Sequence, residues 1–271
     1  MSHLVRQTLM LIFALVPLAD AAQVWSTSFA DFNNFTVPNP QVVCSLTNAP
    51  CAGSVAVPGT GMTMSFDSYG AADFGRLRAY GAALISGPPG GTPPDYAVVR
   101  GRGAYQEVMT VWGGPVGSSG SMSLRFTVTG TATISSAANY AGSGFNLRLF
   151  QPGGGYTDNV FEPGAGGVAV APAIPIVFGQ PFEYAIWFTG GINIDDFSDG
   201  SYAVSDFYHT ATLTGIGVLD ANQAPLASFQ IQADSGTVYT ANGVVPEPGT
   251  FLLIGAAVPC LLALVRRRVR K

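Results

Sequence analysis

The chain reads as an all-β protein, an antiparallel β-sandwich of jelly-roll type, on three observations. Residues 121–129 alternate without a break, with Met122, Leu124, Phe126 and Val128 on one face and Ser123, Arg125, Thr127 and Thr129 on the other. That period of two belongs to a half-buried antiparallel strand. Glycines (34) and prolines (19) divide the remainder into short β-branched and aromatic runs, about ten in number, at the spacing of an all-β domain. Between residues 22 and 243 no stretch carries the 3.6-residue apolar period of a helix.

In chain order, residues 24–29 form the first β-rich run, after which Pro38, Pro40, Pro50 and Pro58 mark irregular backbone. Residues 62–66 alternate cleanly. The breaker cluster at 87–94 (Gly-Pro-Pro-Gly-Gly-Thr-Pro-Pro) allows no regular element across it. Residues 96–100 and 105–112 predict two strands, with Gly101-Arg102-Gly103 read as a turn. Residues 145–149 repeat the alternation. Beyond Gly153-Gly154-Gly155, residues 182–188 are heavy on both faces, as in a central strand. Residues 207–214, a turn-rich 216–219, then 227–231 and 236–239 complete the set.

Charge narrows the function classes. From residue 22 to 250 six arginines stand against fifteen acids, about nine net negative charges if each ionises as in a model peptide. Such a body is unsuited to nucleic acid or to anionic lipid heads. Its only lysine is Lys271, so lysine-based isopeptide crosslinking of the body is chemically excluded. Cys44 and Cys51 lie close together in a loop-like stretch. Outside the cytoplasm they predict a small-loop disulfide, stabilising by about 2–3 kcal/mol at best.

No catalytic constellation emerges, and no enzyme activity is expected. His209 is the one histidine after the N-terminal segment, too few for a histidine-based metal site. Glu107, Glu162 and Glu183 could supply a glycosidase pair only if folding set two of them roughly 5–9 Å apart. Asp195, Asp196 and Asp199, with Gly200, form the densest set of oxygen ligands and could hold Ca²⁺, although the EF-hand spacing is missing. No other cofactor is expected. Trp112, Trp187 and Tyr208 could stack on sugar rings, or could be core residues.

The two ends read as addresses. His3 and Arg6, the apolar run 9–18 and Ala19-Asp20-Ala21 follow the order of a secretory signal peptide, with removal by signal peptidase expected after Ala21. At the other end Val245, Pro246, Glu247 and Pro248 precede an uncharged apolar run, 251–265, and then Arg266, Arg267, Arg268, Arg270 and Lys271. Fifteen helical residues would measure about 22 Å, a marginal membrane span. The basic cluster would hold its end in the cytoplasm. The two prolines make the motif stiff and extended. This order closely resembles the PEP-CTERM sorting signal of Gram-negative bacteria. The resemblance covers residues 244–271 and implies handling by an exosortase, a membrane enzyme thought to cleave at the motif. The expected organisation is thus 1–21 signal peptide, 22–243 extracytoplasmic β-sandwich, and 244–271 sorting tail with a transmembrane helix. The expected role is that of a cell-surface or matrix protein interacting with exopolysaccharide. A carbohydrate-binding module is the alternative, and an extracellular hydrolase a more remote one.

Overall fold

The structure is a computed structural model and describes residues 22–33, 42–44, 50–163 and 167–245. Sixteen strands and no helix occur among them. In chain order these are β1 (Gln23–Asn33), β2 (Val42–Cys44), β3 (Cys51–Ala56), β4 (Thr63–Asp73), β5 (Arg76–Ser86), β6 (Tyr96–Trp112), β7 (Ser119–Ile134) and β8 (Tyr140–Phe150). They continue with β9 (Tyr156–Phe161), β10 (Val168–Val170), β11 (Ile174–Val177), β12 (Pro181–Ile194), β13 (Tyr202–Leu219), β14 (Gln230–Ala233), β15 (Val238–Thr240) and β16 (Gly243–Val245). The first sheet runs β2-β1-β6-β12-β8-β9, with β14 also on β6; the second runs β10-β7-β13-β5-β4-β3, with β11 also on β7. Every pairing is antiparallel.

The connectivity is that of two wrapped hairpins. β1, β4, β5 and β6 lie in the first, second, second and first sheets, and β7, β8, β12 and β13 in the second, first, first and second. Each half therefore contributes a strand pair to each sheet. The halves are sewn together by β6 on β12 in one sheet and β5 on β13 in the other.

Inward residues form two separate clusters. The larger gathers Phe126, Phe145, Phe188, Tyr105 and Tyr184, with Phe145 stacked on Phe161 at 4.8 Å between ring centres. The smaller holds Met62, Met64, Ile85, Val99, Ile192 and Ile194. Between them the sandwich is pinched. A Cβ on Gly70 of β4 would sit 2.0 Å from the carbonyl oxygen of Arg102 in the opposite sheet, and one on Gly101 of β6 would sit 1.9 Å from that of Tyr69. The two backbones touch at this waist, whereas packed sheets usually stand about 10 Å apart. Only glycine leaves room.

The waist explains the main departure from the sequence reading. Gly101-Arg102-Gly103 is no turn: residues 96–112 form one continuous 17-residue strand, β6. Its glycines occupy inward positions where the facing backbone replaces a side chain. Likewise 216–219 is not a turn but the end of β13, an 18-residue strand. β5, rich in small residues, escaped the sequence reading altogether. Residues 121–129 behave as expected, with Met122, Leu124, Phe126 and Val128 buried.

Candidate functional site

The most distinctive surface lies on the outer face of the second sheet, directly over the waist. Tyr69 and Tyr80 are cross-strand partners on β4 and β5, each followed by a waist glycine, Gly70 or Gly81. The period of two thus turns the tyrosines outward as the glycines turn in. Asp206 of β13 faces Tyr80 on the other side. Immediately after Asp206 the register of β13 shifts against both of its neighbours, a β-bulge. Gly130 of β7 lies against the shift; a Cβ there would fall 2.4 Å from the Asp206 carbonyl oxygen.

Bulges re-aim side chains, and here the re-aimed residue is Tyr208. Its ring meets that of Tyr69, on the far side of β5, at 4.8 Å between centres and 42° between planes. Its backbone N–H donates to the Asp206 carboxylate at 3.3 Å. Tyr208 is 41% exposed. With Pro50, Asp67, Tyr69, Tyr80 and Asp206 it lines an open hollow of about 270 Å³. Burial, then the charges of Asp67 and Asp206, raise the Tyr80 pKa. Its hydroxyl therefore stays protonated, a donor beside two acceptors.

Two further hollows continue the line. One, of about 200 Å³, is bordered by Asp73, Arg76 and Arg78; the other, of about 380 Å³, by Asp67, Leu84, Tyr202 and Val204. The register places them in sequence: Asp73 opposite Arg76, Ala71 opposite Arg78, Tyr69 opposite Tyr80, Asp67 opposite Ala82, Ser65 opposite Leu84. From Ser65 to Asp73 the track spans about 27 Å at the usual strand rise. Chemically it is basic at one end, aromatic and acidic in the middle, and apolar at the other end.

The outer face of the first sheet also carries aromatics, and there a cation lies over two of them. The Arg148 guanidinium lies 3.7 Å from the centre of the Tyr156 ring and 5.1 Å from that of Trp187. It also forms a two-pronged ion pair with Asp158, both contacts at 2.7 Å. The hydrogen bond to Asp158 holds the arginine pKa up and the aspartate pKa down. Trp112, 38% exposed, packs beside Gly179 and Val116. Of the three aromatics singled out in the sequence, Tyr208 lines a hollow.

A buried polar cluster lies inside the larger core. Glu107 is fully buried on β6 and accepts hydrogen bonds from the hydroxyls of Ser235, Tyr239 and Tyr184. Burial pushes its pKa up to about 7 against the pull of those bonds, with Asp234 adding to the rise. Ser235 and Tyr239 belong to the closing segment: Asp234 N–H donates to the Val108 carbonyl, and the Val108 N–H to the Asp234 carboxylate, both at 3.1 Å. Glu107 therefore ties residues 234–239 to the core. β16 follows and ends at Val245, one residue before Pro246.

The other predicted residues are dispersed. Glu107 points inward on β6 while Glu183, paired with outward-facing Val108, takes the opposite face of the first sheet and accepts from Gln106 at 2.5 Å. They cannot flank one glycosidic bond. Glu162 lies just beyond β9, beside a fourth hollow with Arg100 and Tyr140. The Asp195–Asp199 loop is organised by protein donors. Asn139 Oδ1 accepts from the N–H groups of both Asp195 and Asp196, the Asp196 carboxylate accepts from Ser198 N–H, and Asp199 accepts from Gly87 N–H. Among the described residues no group of three or more His, Cys, Asp or Glu is placed to hold a metal ion, so the Ca²⁺ set is not assembled. Cys51, at the start of β3, is buried at 2% exposure. The side chains of Cys44 and His209, the expected signal peptide, Pro246, Glu247, Pro248, the apolar run and Arg266, Arg267, Arg268, Arg270 and Lys271 lie outside what is described. No helix among the described residues is long and apolar enough to cross a membrane.

The sequence signal for Tyr69 and Tyr80 existed but was missed. It is the repeated Tyr-Gly step, with large residues outward and none inward. Asp67 and Asp206 had no signal, because only the register brings them to one tyrosine.

Fold and surface together define a two-sheet β domain whose last strand runs directly into a terminal motif. Residues 244–271 match the family model of the PEP-CTERM protein-sorting motif. The chain therefore carries a PEP-CTERM protein-sorting motif at residues 244–271, and that motif implies a secreted bacterial surface protein targeted to an exosortase. No curated protein matches the chain.

Proposed function

We propose that this chain is a matrix or surface protein of a Gram-negative bacterium that is exported, tethered, released by exosortase, and then engages exopolysaccharide. In this reading residues 1–21 are removed by signal peptidase, 251–265 hold the precursor in the inner membrane as a helix, and the terminal arginines keep that end cytoplasmic. The observation that carries the reading is the motif match at 244–271. Its context supports it: β16 pairs with β15 up to Val245, and proline, lacking an N–H, cannot extend a ladder. The processing enzyme would meet an extended segment just outside the folded body.

The jelly-roll reading rests on the wrapping of the two hairpins. We also assign a disulfide between Cys44 and Cys51. In support, β2 and β3 are the edge strands of the two sheets, and β1 and β4, their neighbours, pack face to face. A bridge there would join the sheets along one margin, where a seven-residue step changes sheet.

Replacing Pro246, Glu247 and Pro248 together with alanine should leave a membrane-bound precursor in the native host. A mature protein of normal mass by intact-mass spectrometry would reject the sorting assignment. The carbohydrate-module reading shares this sorting route and is favoured by the open tyrosines around Tyr208.

A further inference from the structure

We propose that the outer face of the second sheet is a glycan-binding track, and that its ligand is a neutral, hydroxyl-rich polysaccharide chain. The proposal deepens the exopolysaccharide reading given above and rests on it. Three observations carry it. First, Tyr69 and Tyr208 touch across β5 and make one apolar wall, the surface that the C–H face of a pyranose ring requires. Second, the hollow beside that wall holds two carboxylates, Asp67 and Asp206, flanking the Tyr80 hydroxyl. Among the described residues the Asp67 carboxylate has no hydrogen-bond or ion-pair partner. Carboxylates accept from sugar hydroxyls and repel uronates, so the centre selects a neutral chain.

Third, the shape is open and linear. The central hollow, about 270 Å³, is smaller than typical enclosed ligand pockets of roughly 300–1,000 Å³. It suits one ring of a longer chain, and the flanking hollows extend the contact along β4 and β5. The construction is also costly in conformational terms: a bulge in the longest strand, two tyrosines standing on waist glycines, and a glycine opposite the bulge. Core packing accounts for the glycines but not for the bulge, since the residue it re-aims, Tyr208, lies on the solvent side.

The test is affinity electrophoresis of the full-length chain in mild detergent, through native gels containing hydroxyethyl cellulose, dextran, alginate or polysaccharide from the host's own matrix. We expect retardation by at least one neutral glycan or by the matrix polymer. Tyr208→Ala should weaken it roughly tenfold, the scale of one lost aromatic contact, and Asp67→Asn should weaken it less. Arg148→Ala, on the other sheet, should leave it unchanged. Thermal melting of each variant checks folding, and both Tyr208 and Asp67 are exposed enough to be replaced without collapse.

Stronger retardation by alginate than by the neutral polymers would overturn the ligand class. Equal retardation of wild type and Tyr208→Ala, or loss only on changing Tyr156 or Trp187, would overturn the site while sparing the exopolysaccharide reading. No retardation by any polymer, in a protein still exported and processed, would overturn both the track and that reading but leave the sorting assignment intact.

Discussion

The two outer faces of the sandwich use the same residue types to opposite ends. On the first sheet, Arg148 lies over the rings of Tyr156 and Trp187 and is held in place by Asp158. On the second, Arg78 stands 5.9 Å from the Tyr208 ring centre, at the outer limit of a cation–π contact, and the tyrosines border a hollow. One aromatic set has an anchored cation close over it; the other lines an open hollow. Exposed aromatics in a sequence therefore say little until the positions of the cations are known.

The largest expected effect comes from removing what shapes the second face. Gly101→Ala would drive a methyl into the Tyr69 carbonyl; a rigid backbone clash of this kind should cost more than about 4 kcal/mol. Loss of cooperative melting is expected. Gly90→Ala, where nothing lies within 4 Å, should be nearly neutral. A well-folded Gly101→Ala protein would show that the waist does not set the sheet spacing.

A smaller effect separates both faces from the interior. With its pKa raised to about 7, Glu107 stays protonated in the fold where the unfolded chain has already ionised. Its contribution is full below about pH 4.3, the unfolded value, and is lost as pH rises through about 7. The stability difference across that window is about 4 kcal/mol. Melting temperature should fall from pH 5 to pH 8, and Glu107→Gln should flatten the curve without altering glycan retention. An equally steep curve in the variant would place the titration elsewhere.

The smallest effect tests the face of the first sheet. Arg148→Ala removes an exposed ion pair and two ring contacts, together about 1 kcal/mol. A slightly lower melting temperature with higher accessibility of Trp187 to a fluorescence quencher is expected. Unchanged quenching would mean that the arginine does not shield the ring.

Much of the fold was legible because alternation is a local property. Met122, Leu124, Phe126 and Val128 announced their strand and their face, and strand propensity with frequent turns gave the sandwich. Strand lengths were not legible. Glycine breaks a local pattern, yet Gly101 and Gly103 sit inside a long strand because of what lies across the core. The sorting motif at residues 244–271 was legible, since its meaning lies in residue order.

By itself, then, the sequence determined the all-β class, the acidic body and the sorting motif, each set by composition or by neighbours along the chain. Tertiary structure alone decided that Asp67, Tyr69, Tyr80, Asp206 and Tyr208 share one hollow, that Arg148 lies over Trp187, and that Glu107 and Glu183 face apart. Those are relations between strands many residues distant. They depend on register, on one bulge, and on two sheets able to touch only where no side chain intervenes.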